Sequence, residues 1–216
     1  MTEDRSRGRP PRPRKPTLAE RREQRGTVED PAEVLDAAAR LLEARPRSVA
    51  EIRRRLLRLG YGAALVDGTV VRLGELGYLD DEAFARAWVE SRDRSRPRGE
   101  HALRRELGLK GVDRSLVDGV LGDRRDNAAA AREAAGEAAG DAPTPDEAAA
   151  ERLLARKLPA ILREADPRRR LQKAYATLAR NGFSPDVCSA VSKRTLAAAA
   201  AGSDAEADDL TDDPEP

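Results

Sequence analysis

Between about Pro31 and Leu196 the apolar residues recur every three to four positions, the spacing that gathers them on one face of an α-helix. No segment shows the period-two alternation of a strand. Val34, Leu35, Ala38, Leu41 and Leu42 form the first stripe, opened by Pro31, a residue suited to a first helical turn. Ser48-Val-Ala-Glu51 has the form of a capping box, in which hydroxyl and carboxylate each satisfy a free backbone N–H. It opens a second helix with Ile52, Leu56 and Leu59 inward, ending at Gly60. A third helix is predicted over 63–76, ending at Gly77. A fourth is capped by Asp80 or Asp81 and broken at Pro97-Arg98-Gly99. A fifth covers 100–107, and a sixth, capped by Asp113, ends near Leu121. Helices resume over 147–164, 167–181 and 185–196, which makes nine in all.

Three of the helix-ending glycines align. Four residues before Gly60, Gly111 and Gly182 stand Leu56, Leu107 and Leu178, and eight before stand Ile52, Leu103 and Ala174. One residue after come Tyr61, Val112 and Phe183, and five after come Leu65, Leu116 and Val187. The pattern is a helix with an i, i+4 apolar pair, a glycine free to adopt the left-handed conformation, and an apolar residue folding back over the turn. The glycines lie 51 and 71 residues apart, and the 20-residue excess matches an Ala/Gly/Pro-rich stretch at about 126–146. The predicted fold is all-α: three tandem three-helix repeats forming an elongated, curved body with disordered tails. The expected division is a disordered basic arm (1–30), repeat one (31–77), repeat two (78–125), a low-complexity insertion (126–146), repeat three (147–196) and a disordered acidic tail (197–216).

Composition fits a helical reading: of 216 residues 37% are charged and only 3% aromatic, against a sandwich or barrel. The net charge of +1 conceals segregation. Residues 1–25 carry a net +5, with Pro10, Pro11, Pro13 and Pro16 among them, and residues 203–216 carry −7. No run of 18 apolar residues and no apolar leader segment occurs, so a soluble, cytoplasmic protein without membrane association is expected.

Catalytic chemistry finds little support. His101 is the sole histidine and Cys188 the sole cysteine, which leaves no triad, no paired-histidine metal site and no internal disulfide. Cys188, between Val187 and Val191, reads as a small semi-buried residue. Asp80 and Asp81 read as acids at a helix start rather than a catalytic pair. No phosphate-binding glycine loop is present, so no enzyme activity, cofactor or metal is expected. Phe84 and Trp88, i and i+4 with Tyr78 upstream, read as an aromatic core stripe, with base stacking as the alternative.

The basic residues carry more information. Arg53 and Arg54 stand seven and six residues before Gly60, and Arg104 and Arg105 hold the same places before Gly111. The third repeat has Tyr175 and Ala176 there, but offers Arg168, Arg169, Arg170, Lys173 and Arg180 nearby. Such a row either contacts phosphates or acidic protein patches, or is a solvated face in an Arg-rich chain. The candidate partner- or DNA-binding set is therefore Arg53, Arg54, Arg104, Arg105, Arg168, Arg169, Lys173 and Arg180.

The run Gly77-Tyr-Leu-Asp-Asp-Glu-Ala-Phe-Ala-Arg-Ala-Trp-Val89 resembles the signature of the RecX family of bacterial recombinase regulators. So do Arg98-Gly99, Leu103, Glu106-Leu107 and Lys110-Gly111-Val112, and Leu178 with Gly182-Phe183-Ser-Pro-Asp-Val187 resembles that family's C-terminal repeat. The resemblance spans about residues 31–196 and leaves out both tails and the insertion. It implies tandem three-helix repeats, and a partner, the RecA recombinase filament on single-stranded DNA. In that filament's groove such proteins inhibit ATP hydrolysis, strand exchange and the co-protease action on the SOS repressor. It implies no catalytic residues. Single- or double-stranded DNA is a further expected ligand, and a monomer is expected. The competing reading is a helix-turn-helix transcriptional regulator, against which stand the lack of a single recognition helix and of a dimerisation element.

Overall fold

The computed structural model describes residue 14 and residues 16–136 and 143–209, with side chains to Ala201; among these there are ten α-helices and no strand. They are α1 (Leu18–Gly26), α2 (Pro31–Ala44), α3 (Val49–Leu59), α4 (Ala63–Glu75), α5 (Asp81–Ser95), α6 (Glu100–Lys110), α7 (Arg114–Ala134), α8 (Pro145–Leu162), α9 (Pro167–Arg180) and α10 (Pro185–Asp209). They fall into two compact units. One holds the described residues to Pro46 with Glu51–Tyr78; the other holds Arg47–Ala50 and the described residues from Leu79 onward.

The glycine alignment is realised as a repeated backbone motif. Gly60, Gly111 and Gly182 adopt φ of 109°, 83° and 82°, the left-handed region that costs glycine little. In each turn the next residue's N–H returns to the carbonyl four before the glycine: Tyr61 to Leu56, Val112 to Leu107 and Phe183 to Leu178, at 3.4, 3.2 and 3.4 Å. This is the 6→1 bond of a Schellman cap. The inward pairs Ile52/Leu56, Leu103/Leu107 and Ala174/Leu178 are all buried.

In the first unit Val34, Ala38, Ile52, Leu56, Val66 and Leu73 form the interior of α2–α4. In the second, Phe84, Val89, Leu103, Leu107, Val117 and Leu121 knit α5–α7 together. Leu154, Ile161, Leu178, Phe183, Cys188 and Val191 do the same for α8–α10. The third helix of each repeat buries the residues six and nine past the glycine: Val66 and Thr69, Val117 and Val120, Cys188 and Val191. Cys188 thus occupies a valine position; it is fully buried, and burial raises its thiol pKa. Ten past the glycine, where Leu121 stands in repeat two, Ser192 is fully buried with no hydrogen-bond partner for its hydroxyl. Ser192→Ala should therefore stabilise the protein by about 1 kcal/mol, since an unpaired buried hydroxyl costs on that order; a urea melt with an unmoved midpoint would contradict this.

Three expected boundaries differ. Residues 18–26, assigned to a disordered arm, form α1. Its sequence lacks an apolar stripe, but Thr17 and Glu20 make a capping box: Glu20 N–H donates to Thr17 Oγ1 at 3.2 Å and Thr17 N–H to Glu20 Oε2 at 2.6 Å. α7 does not stop near Leu121 but runs into the expected insertion as far as Ala134. Ala- and Arg-rich sequence sustains it, and part-buried Arg124 ties it to Asp93 and Asp146 at 2.8 and 2.7 Å. α10 passes through the alanines at 197–201 and ends at Asp209, inside the expected acidic tail. The remaining parts of both expected tails and of the insertion lie outside the described residues.

Within the second unit the helix starts are supplied from neighbouring elements. Asp80 caps its own helix through Glu82 and Ala83 N–H, while Asp81 accepts the Val49 N–H at 2.9 Å. Asp146, in the first turn of α8, accepts the Glu100 N–H at 3.0 Å, repeating the device at the start of α6. Arg98-Gly99 meets the third glycine turn: Gly99 N–H donates to the Asn181 carbonyl at 3.1 Å and Arg98 hydrogen-bonds Asn181 Oδ1. Two signature segments of the sequence are thereby accounted for as joints.

Candidate functional site

The matched arginines have matched partners. Arg53 grips Asp67 through Nε and Nη2 at 2.7 and 3.1 Å, and Arg104 Nε donates to Asp118 at 2.9 Å. Both aspartates lie 14 residues after their arginine and seven after the glycine, so the ion pair is itself a repeat feature that joins the second and third helices. The Arg53 hydrogen bond lowers the Asp67 pKa, and the Arg104 hydrogen bond lowers that of Asp118. Such depressed acids add stability above their unfolded pKa, and it is lost as pH falls through the folded value. In a carboxyl-carbon NMR titration Asp67 and Asp118 should protonate below the ordinary aspartate value, and Arg104→Gln should return Asp118 towards it; a normal Asp118 titration would remove the pair's electrostatic role. The third repeat has neither member, with Tyr175 and Ser189 in those places.

Arg54 and Arg105, one position on, have exposed side chains. Arg53 and Arg54 belong to the first unit and the other six candidates to the second. Three of these six come together. Arg169, Lys173 and Arg180 on α9 face Lys157 on α8 across a groove of about 560 Å³ whose floor includes Ile161 and Ala176. One acid, Glu164, lines it, held by Lys173 Nζ at 2.5 Å, which lowers the Glu164 pKa. Four cations against one carboxylate give the groove a net charge of +3. Arg168 is exposed at the start of α9, outside the groove lining. Lys157 was not among the sequence candidates: the glycine-anchored alignment starts at the second helix of each repeat, whereas Lys157 lies on the first.

The aromatic pair is structural. Phe84 is buried and stacks on Trp88 with centroids 6.1 Å apart. Trp88 Nε1 donates to Glu106 at 2.9 Å, and the Arg92 and Lys110 cations lie over its ring, 4.2 and 4.0 Å from the centroid. Tyr78 is exposed, as is His101. Among the described residues no group of acids, His and Cys is placed to hold a metal, and no helix is long and apolar enough to cross a membrane.

Three domain models of one family match in order: the first three-helix domain of RecX over residues 35–73, the second over 80–121 and the third over 145–191. The chain belongs to the RecX family. A regulatory protein RecX of Streptomyces coelicolor is 32% identical over 83% of this chain and 87% of its own length. That of Chlorobium phaeobacteroides is 40% identical over 94 residues, 44% of this chain and 62% of the relative. That of Mycolicibacterium vanbaalenii is 43% identical over 82 residues, 38% and 45% respectively. The chain therefore spans less than two thirds of the length of these last two relatives. Among solved structures, RecX from Lactobacillus salivarius superposes with a TM-score of 0.61 at 17% identity, covering 77% of this chain and 96% of that one, which is a likeness of fold. The three RecX domain matches fall on α2–α4, α5–α7 and α8–α10, with α7 and α10 running on past the second and third, so the three-helix repeats found from the glycines are the family's domains.

Proposed function

We propose that this protein regulates the RecA recombinase by binding its filament on single-stranded DNA and inhibiting ATP hydrolysis, strand exchange and SOS co-protease action, thereby modulating DNA repair. The observation that carries this reading is the ordered match of all three RecX domains. The protein acts by occupancy in the cytoplasm, as a monomer, with no metal, nucleotide or catalytic step of its own. The α8–α9 groove supports the reading physically: four cations over an apolar floor suit a polyanion or an acidic protein segment. Arg105 and Arg168 in the second unit, and Arg54 in the first, are further candidate contacts. Arg53 and Arg104 serve less directly, because each already neutralises an aspartate.

The test is sedimentation of the RecA–single-stranded DNA filament with increasing amounts of this protein. Saturable co-sedimentation, absent when RecA is omitted and the DNA is at the same concentration, is expected. Pelleting that depends on DNA alone would instead describe a general nucleic-acid-binding protein.

A further inference from the structure

The three glycine turns share a feature besides their cap. In each, the carbonyl just before the glycine accepts a hydrogen bond from an element that precedes the turn's own helix. Gly99 N–H serves the Asn181 carbonyl at 3.1 Å, and Ser48 Oγ serves the Lys110 carbonyl at 2.6 Å. In both cases the donor stands just before a helix start, at a small residue. Among the described residues, it is the single helix α1 that precedes the first turn's domain. Its Leu59 carbonyl is served by α1, through Arg25 Nη1 at 3.4 Å.

α1 also covers the turn sterically. A Cβ placed on Gly60 would lie 2.5 Å from the Arg22 carbonyl oxygen, just as one on Gly182 would lie 2.5 Å from Ala102. The Arg25 guanidinium sits 5.8 Å over the Tyr61 ring. Yet α1 buries none of its residues, and Leu18 is 85% exposed. A nine-residue helix is marginal alone, so α1 is held on by a few polar contacts and a close backbone approach, without a core of its own.

We propose that α1 is a releasable strap standing where a preceding three-helix domain would stand. The seat beneath it, formed by the Leu59 carbonyl, Gly60 and Tyr61, is a protein-docking surface. Its partner is a helix end that brings a small residue and a hydrogen-bond donor, the chemistry that Ser48 and Gly99 present at the equivalent turns. Because the seat has positive φ and no side chain at its centre, it admits a closely approaching backbone, as it admits that of Arg22. This inference stands apart from the action on RecA and is tested without it.

The experiment uses the full chain and its Arg25→Ala variant, with hydrogen exchange and the Tyr61 ring resonances as readouts, and a synthetic peptide of residues 14–29 as the probe. In the wild type, amides 18–28 should exchange at least about tenfold faster than those of α3, the mark of a segment that opens by itself. Arg25→Ala should speed exchange of 18–28 further and shift the Tyr61 ring signals, leaving α3 and α4 protection unchanged. Adding the peptide to the variant should return the Tyr61 signals towards their wild-type positions; a peptide carrying the same substitution should not. Protection of 18–28 equal to that of α3, an unchanged Tyr61 on Arg25→Ala, or no response to the peptide would each overturn the proposal.

Discussion

Gly99→Ala should destabilise the second unit by about 3 kcal/mol, a large loss for one methyl group. Gly99 has φ −74° and ψ 160°, which any residue adopts, so backbone strain is not the cause. The cause is space: a Cβ there would lie 2.2 Å from the Gly182 carbonyl oxygen and 2.5 Å from Phe183 Cα, and backbone cannot swing aside as a side-chain tip can. The added methyl must push α6 off the Asn181–Gly182 turn, breaking the Gly99–Asn181 hydrogen bond and the Arg98–Asn181 contact that accompanies it. Gly108→Ala is the control on the same helix, because nothing lies within 4 Å of its Cβ position. It should be neutral or stabilise by up to about 1 kcal/mol through helix propensity. Urea melts of the two variants beside the wild type check both signs. Equal effects would mean that the turn is not seated on Gly99.

The same joint shows what the sequence carried openly and what it concealed. The period of the apolar residues gave the helices, and the glycine alignment gave the three repeats, because the Schellman turn makes demands on neighbouring residues that a linear text records. Asp67 and Asp118 are equally readable, each 14 residues after its arginine and seven after its glycine. α1 was concealed because its stability comes from a capping box and contacts with a turn more than thirty residues away, and it has no apolar stripe. The length of α7 was concealed because Arg124 reaches Asp93 and Asp146, residues distant in sequence on either side. The candidate groove was half legible: the cluster on α9 stood out, while Lys157 on α8 becomes its neighbour only through helix packing.

Reversing the groove charges with K157E, R169E, K173E and R180E should weaken action on the filament by on the order of a hundredfold at moderate salt. All four side chains are exposed, so each change should alter stability by only about 0.5 kcal/mol. The Lys173–Glu164 pair is lost, but an exposed pair contributes little. If the groove holds phosphates, the dependence of log affinity on log salt should flatten by roughly one unit per contact removed. If it holds acidic side chains, binding weakens without that count. R53E and R104E are the contrasting pair. They break the exposed ion pairs with Asp67 and Asp118, each of which contributes little to stability, and should impair inhibition less than the groove changes do. A folded groove variant that inhibits as well as wild type would place filament contact elsewhere, with Arg54 and Arg105 the next surfaces to change.

The measurement that bears most directly on the whole account is the DNA-dependent ATPase of RecA, titrated with this protein. The account predicts a dose-dependent fall in ATP hydrolysis that is complete at or below one molecule per RecA protomer, needs no added metal beyond that of the ATPase itself, and shifts to much higher concentration for the groove variant. ATP hydrolysis unchanged at equimolar protein would contradict it.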